Sequence, residues 1–96
     1  MAHYALITLV VKDQEKLAAY LKVGGPAVAK HEGKAIAGGP GSLSLQTPHG
    51  ETRGVVLEFP TPDHLTAWLQ DPELAEVHAL RNAGADTTIL SLPEIA

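Results

Sequence analysis

The run GVVLEFPTPDHLTAWLQ, residues 54–70, decides the fold. Val55, Val56, Leu57 and Phe59 are β-forming residues in an almost unbroken apolar series, which predicts a buried strand in mid-sheet rather than at an edge. Pro60 lacks the N–H that a ladder needs and pushes Phe59 towards extended geometry, so the strand stops there. Thr61 then has the side chain of a helix N-cap, Pro62 the fixed φ of a first helical position, and Asp63 a negative charge for the first turn. Leu65, Trp68 and Leu69 recur at helical spacing and make one apolar face.

Towards the N-terminus, residues 3–11 (HYALITLVV) form a first strand. Ala5, Ile7, Leu9 and Val11 share one face, and Tyr4, Leu6, Thr8 and Val10 share the other. Both faces are largely apolar, which marks a central strand. Asp13 caps a short helix with the buried stripe Leu17, Tyr20 and Leu21, and Gly24-Gly25 end it. Pro26 opens a second short helix, PAVAKHE, with Gly33 as its left-handed stop. Residues 34–37 resume as a strand, and Gly38-Gly39-Pro40-Gly41 bulge or kink it. Leu43 and Leu45 then alternate with Ser42, Ser44 and Gln46 in a half-exposed continuation, and residues 47–53 close a hairpin. Beyond the Trp68 helix, Asp71-Pro72-Glu73 caps a further helix that runs to about Ala83 and stops at Gly84, and residues 87–92 are the last strand.

The order β-α-α-β-β-α-α-β predicts an α+β chain of ferredoxin-like topology, one domain over residues 1–96. Four antiparallel strands would carry the helices on one face, with the first and third strands in the middle. Ala5, Ile7, Leu9, Val55, Leu57 and Phe59 make the cleaner apolar set and belong under the helices. The opposite face mixes Tyr4, Leu6, Thr8 and Val10 with Val56 and Glu58. A half-apolar face is a large patch to leave to solvent on a chain of 96 residues. A homodimer packed sheet to sheet through Tyr4, Leu6, Thr8, Val10 and Val56 is therefore expected, and it would enclose a small cavity edged by Tyr4, Thr8 and Glu58.

Bulk composition removes several classes of function. Net charge is −4, and the seven Lys and Arg residues are scattered singly, which argues against a nucleic-acid partner or an anionic membrane surface. With no cysteine there is no disulfide framework, thiolate nucleophile or zinc-thiolate site. No signal-peptide pattern opens the chain, and no apolar run approaches the ~20 residues of a membrane span. A cytoplasmic location is the expectation. The hydrophobic fraction is 45% with only four aromatics, so the core must be aliphatic.

Arg81 falls seven residues after Leu74, inside the stripe of Leu74, Val77 and Leu80. A charge there must be paired or face a cavity. Glu58 is similarly placed in an apolar strand. One reading has the two charges pair with each other or with backbone carbonyls and hold the fold; the other has one or both, with Tyr4 and Trp68, bind a polar or anionic ligand. His31 and His78 lie near the apolar sides of their helices and are the candidates for acid–base chemistry. Tyr4 and Tyr20 offer phenolic hydrogen bonds, and Trp68 serves as core or as a stacking surface. The five histidines show no metal-ligand spacing, so no metal site is expected. The glycine run lacks the Lys-Ser/Thr of a phosphate loop, Ser42, Ser44 and Ser91 sit in no nucleophile elbow, and no cofactor fingerprint occurs.

Over nearly its whole length the chain resembles the "domain of unknown function 1330" family, within the dimeric α+β barrel group of ferredoxin-like proteins. The resemblance rests on Tyr4, on Asp13 with Tyr20, on His31-Glu32-Gly33 and on Gly38-Gly39. It continues through Val56-Leu57-Glu58-Phe59-Pro60, Trp68 with Pro72, and Leu80-Arg81. The sequence departs from the family pattern at Gln46-Thr47-Pro48, at Leu74 and at Leu92-Pro93-Glu94. The resemblance implies the fold and a dimer, not a chemistry. Three functions then compete: a homodimer binding a small polar or anionic molecule between sheet and helices, a cofactor-independent monooxygenase, isomerase or cyclase of that barrel group, and a structural module without a ligand.

Overall fold

The computed structural model describes residues 2–39 and 41–95. In chain order, β1 is His3–Val11, α1 Gln14–Lys30, β2 Lys34–Gly38, β3 Thr52–Phe59 and α2 Pro62–Gln70. A short 3-10 turn at Pro72–Leu74 leads into α3 (Ala75–Gly84), and β4 is Ala85–Pro93. The sheet order is β2-β3-β1-β4, all pairs antiparallel, so the two most apolar strands are indeed central. Every second residue of β1 (Ala5, Ile7, Leu9) is buried against the helices, as are Leu57 and Phe59 of β3. These meet Leu17, Val28, Leu65, Trp68 and Leu74 in one core. The opposite face stays half-exposed, as the alternation predicts.

The caps form as their residue types dictate. The Asp13 carboxylate accepts from Lys16 N–H at 3.1 Å, and the Thr61 hydroxyl accepts from His64 N–H at 3.3 Å, with Pro62 in the first turn of α2. Gly84 ends α3 where no side chain fits, because a Cβ there would lie 2.6 Å from Leu17 N. Its carbonyl accepts from the N–H groups of Lys12 and Asp13, which ties the end of α3 to the start of α1.

Three expectations are corrected. The two short helices before β2 are one continuous helix, α1, which runs through Gly24, Gly25 and Pro26. Poor local helix formers are overruled by packing, and the carbonyl that Pro26 leaves unbonded belongs to exposed Lys22, within reach of water. The left-handed residue that ends α1 is Glu32 (φ 61°), not Gly33. Glu32 N–H bonds Ala29 O and Gly33 N–H bonds Val28 O, the paired closure of a Schellman end. Gly33 is required for a different reason: a Cβ would come within 2.5 Å of Phe59 Cε1 and 2.7 Å of Val28 Cγ1.

The third correction concerns β2, which ends at Gly38 and has its register shift between Ala35 and Ala37 rather than in the glycine run. Gly38 itself has φ 107°, and a Cβ there would lie 2.1 Å from Gly54 O. Pro40 lies outside the described residues. The segment with Leu43 and Leu45 is not a strand. Ser42 Oγ accepts from Gly54 N–H at 3.1 Å, and Ser44 Oγ accepts from Thr52 N–H at 3.2 Å and donates to Thr52 O at 2.9 Å. These hydroxyls take the edge positions on β3 that a continued backbone ladder would use.

Candidate functional site

Arg81 is buried, with 4% of its surface exposed, yet it does not meet Glu58. The ion-pair expectation fails because the sheet separates the two. Glu58 lies opposite Tyr4 and Lys34 on the open face, whereas Arg81 sits among the helices. Among the described residues no carboxylate approaches the guanidinium within 4.0 Å. Its surroundings are aromatic and neutral: Cζ lies 6.0 Å from the Tyr20 ring centre and 5.9 Å from that of Trp68. Nε donates to Asn82 Oδ1 and Nη1 to His78 Nδ1, both at 3.2 Å.

His78 in turn bonds Trp68 O through Nε2 at 2.9 Å and stands edge-on to the Trp68 ring. A guanidinium can only donate and a carbonyl can only accept, so this ring is neutral with its proton on Nε2. Arg81 thus joins α1 through Tyr20, α2 through Trp68 and its own α3. Trp68 also packs on Phe59 at 5.7 Å between ring centres. Its Nε1 donor is buried without an acceptor among the described residues.

His31 is engaged elsewhere. Its Nε2 donates to Asp71 Oδ2 at 2.8 Å, and Lys30 Nζ reaches the same oxygen at 2.7 Å and Glu73 Oε2 at 2.6 Å. These bonds from Lys30 and His31, together with Glu73 N–H, hold the Asp71 carboxyl well below the usual carboxylate range. The cluster clamps the end of α1 to the turn between α2 and α3. Tyr4 lies on the open face, opposite Glu58 on one side and Leu92 on the other. Partial desolvation, then the charges of Glu94 and Glu58, push its phenol above the usual value.

A mostly apolar cavity lies apart from these groups, between α1 and the covered face of the sheet, and its volume is about 160 Å³. Its helix wall is Tyr20, Leu21, Gly24, Gly25 and Val28, and its sheet wall is Ile7, Leu9, Val55 and Leu57, with Lys34 and Ala35 at the β2 edge. Tyr20 is shared: one side of its ring borders the cavity and Arg81 stands against it. Of the residues singled out from sequence, Arg81, His78 and Trp68 come together and Tyr4 pairs with Glu58, while His31 goes to the clamp. The cavity stripe of Leu21, Gly24, Gly25 and Val28 escaped the reading, although its i, i+3, i+4, i+7 spacing is that of a helix face with two side chains deleted. Among the described residues no cluster of three or more His, Asp or Glu is placed to hold a metal ion, and no helix is long and apolar enough to cross a membrane.

An antiparallel four-stranded sheet in the order β2-β3-β1-β4, with its helices on one face, defines a ferredoxin-like α+β protein. The chain belongs to the domain of unknown function family DUF1330, whose profile matches residues 2–95. A protein of unknown function from Rhodopseudomonas palustris has a similar crystal structure, with TM-score 0.74 and 22% identity over 99% of this chain and 84% of that one. A dimeric ferredoxin-like protein of unknown function from Jannaschia sp. CCS1 matches with TM-score 0.71 and 10% identity, over 98% of this chain and 100% of that one. A conserved protein from Methanosarcina mazei Go1 matches with TM-score 0.65 and 18% identity, over 99% and 94% of the two chains. These likenesses are of fold. No curated protein matches the chain.

Proposed function

We propose that the protein is a homodimer that binds a small molecule, largely apolar in body, in the cavity between α1 and the sheet. The apolar lining and the volume of that cavity carry this reading. A glycine inside a helix costs about 1 kcal/mol relative to alanine. Gly24 has a packing reason, because a Cβ there would stand 3.0 Å from Tyr20 Cζ. At Gly25 a Cβ would meet nothing within 4 Å beyond its chain neighbours. Gly25 also precedes Pro26 within α1, where a Cβ would crowd the proline ring, and the side chain it lacks leaves the mouth of the cavity open. The volume suits the occupant, since apolar cavities of about 150 Å³ take up a benzene-sized molecule.

The dimer is supported by the open face. Leu6 lies between Val56 and Leu90 across three strands, and Leu90 and Leu92 are 49% and 39% exposed. That apolar row, on a chain whose fold-mate from Jannaschia is described as dimeric, fits a second copy packed face to face. In this arrangement Tyr4 and Glu58 belong to the interface, while Arg81 acts on the cavity through Tyr20.

Two variants test the proposal. Gly25→Leu should still fold, with some loss of stability from crowding Pro26, yet lose the thermal protection that small apolar molecules give the wild type. Equal protection of both proteins would place the ligand elsewhere. Leu6→Asp should abolish a dimer seen by light scattering at micromolar concentration; a wild type with the mass of one chain would overturn the dimer.

A further inference from the structure

We infer that the occupant of the α1–sheet cavity is an uncharged, ring-sized molecule carrying one acceptor oxygen, a ketone or lactone type of compound, held by the Tyr20 hydroxyl. This rests on the cavity being the binding site. The cavity's side chains are apolar apart from those of Tyr20 and Lys34. Lys34 is the Cα partner of Glu58, which sets its side chain on the sheet's open side, away from the helix wall. Lys34 therefore reaches the cavity only at its β2 edge, and a carboxylate seated among the inner apolar walls would lose its hydration without compensation.

Tyr20 is the remaining polar group. Its phenol lies against Gly24, where a Cβ would come 3.2 Å from the oxygen, and the hydroxyl bonds to no described residue. The ring is 8% exposed and held in place by Arg81 at 6.0 Å from its centre. A fixed hydroxyl in an otherwise apolar cavity is the kind of single polar group that orients a small ligand. A phenol O–H is a better hydrogen-bond donor than acceptor, because its oxygen lone pair is delocalised into the ring, which selects an acceptor oxygen on the ligand. Arg81 is a positioning residue here: it acts on the ligand only through Tyr20.

The test is an NMR titration of the full chain with cyclohexane, cyclohexanone and cyclohexanecarboxylate, followed at the methyl groups of Leu9, Val28, Val55 and Leu57. Cyclohexanone should bind roughly three- to tenfold more tightly than cyclohexane, the value of one neutral hydrogen bond. Cyclohexanecarboxylate should bind more weakly than either. Tyr20→Phe should keep the wild-type melting temperature, since its hydroxyl bonds nothing in the fold, and should bind ketone and hydrocarbon alike. Equal binding of the two by the wild type would overturn the Tyr20 assignment and leave the cavity reading intact. Preference for the carboxylate would overturn the uncharged class. If none of the three moved these methyls, the cavity itself would fail as the site, and this inference with it.

Discussion

Arg81→Met would show what a buried guanidinium does when no carboxylate answers it. Were Arg81 one half of a buried ion pair, the substitution would strand its partner and cost roughly 3–5 kcal/mol. The structure gives a different balance. The losses are two hydrogen bonds at 3.2 Å, to His78 Nδ1 and Asn82 Oδ1, and the contacts with the Tyr20 and Trp68 rings. Leaving the half-buried Nδ1 of His78 without a donor costs about 1–3 kcal/mol, and the two ring contacts contribute about 0.5–2 kcal/mol each. Against these stands the relief of a charge that was desolvated without an anion, worth several kcal/mol in the opposite direction. Methionine also keeps most of the side-chain volume. The net loss should be about 1–3 kcal/mol, read by urea denaturation at one fixed protomer concentration so that association does not enter. Glu58→Gln alone should change stability by less than about 0.5 kcal/mol, and the double variant should be additive within about 0.5 kcal/mol, because the sheet lies between the two sites. A coupling energy above about 1 kcal/mol between Arg81 and Glu58 would refute this reasoning.

Two further outcomes follow from the packing. Trp68→Ala should cost roughly 3–5 kcal/mol in chemical denaturation, since the ring is 1% exposed between Phe59 and His78; a loss below about 1 kcal/mol would mean the ring is not core. Asp71 makes stability depend on pH in a stated direction. Its folded-state pKa is depressed, so its contribution is complete above the unfolded carboxylate value near 4 and is lost as the pH falls below it towards the folded value. Acid titration of Asp71→Asn should give a shallower fall in stability below about pH 4 than the wild type, and an unchanged slope would mean the clamp of Lys30, His31 and Asp71 does not persist in solution.

The parts of the fold legible in the sequence were those where local chemistry and tertiary packing agree. The apolar run before Pro60 and the cap at Thr61 each had one physical solution, and both formed. The alternation in residues 3–11 divided the two faces of β1 as found. Legibility failed where packing overrode local preference. Gly24-Gly25-Pro26 looks like a helix break to any propensity argument, yet the buried stripe on either side holds one helix together through it. Leu43 and Leu45 alternate like a strand, but Ser42 and Ser44 beside them reach the backbone of β3 first. The candidate site was harder still. Arg81 was marked by its place in an apolar stripe, but nothing in sequence places two aromatic rings around it instead of a carboxylate. The cavity went unseen because its signal is two absent side chains.

Crystals of the protein pressurised with xenon offer the most direct test of the α1–sheet cavity as the place where a ligand is received. Xenon enters dry apolar cavities without needing a polar partner, so it reports the cavity independently of Tyr20. The account predicts xenon density between Gly25 and Leu57 in the wild type, and its loss in Gly25→Leu with the surrounding fold unchanged. Density only between the open sheet faces, beside Leu6 and Val56, or none in either protein, would contradict it.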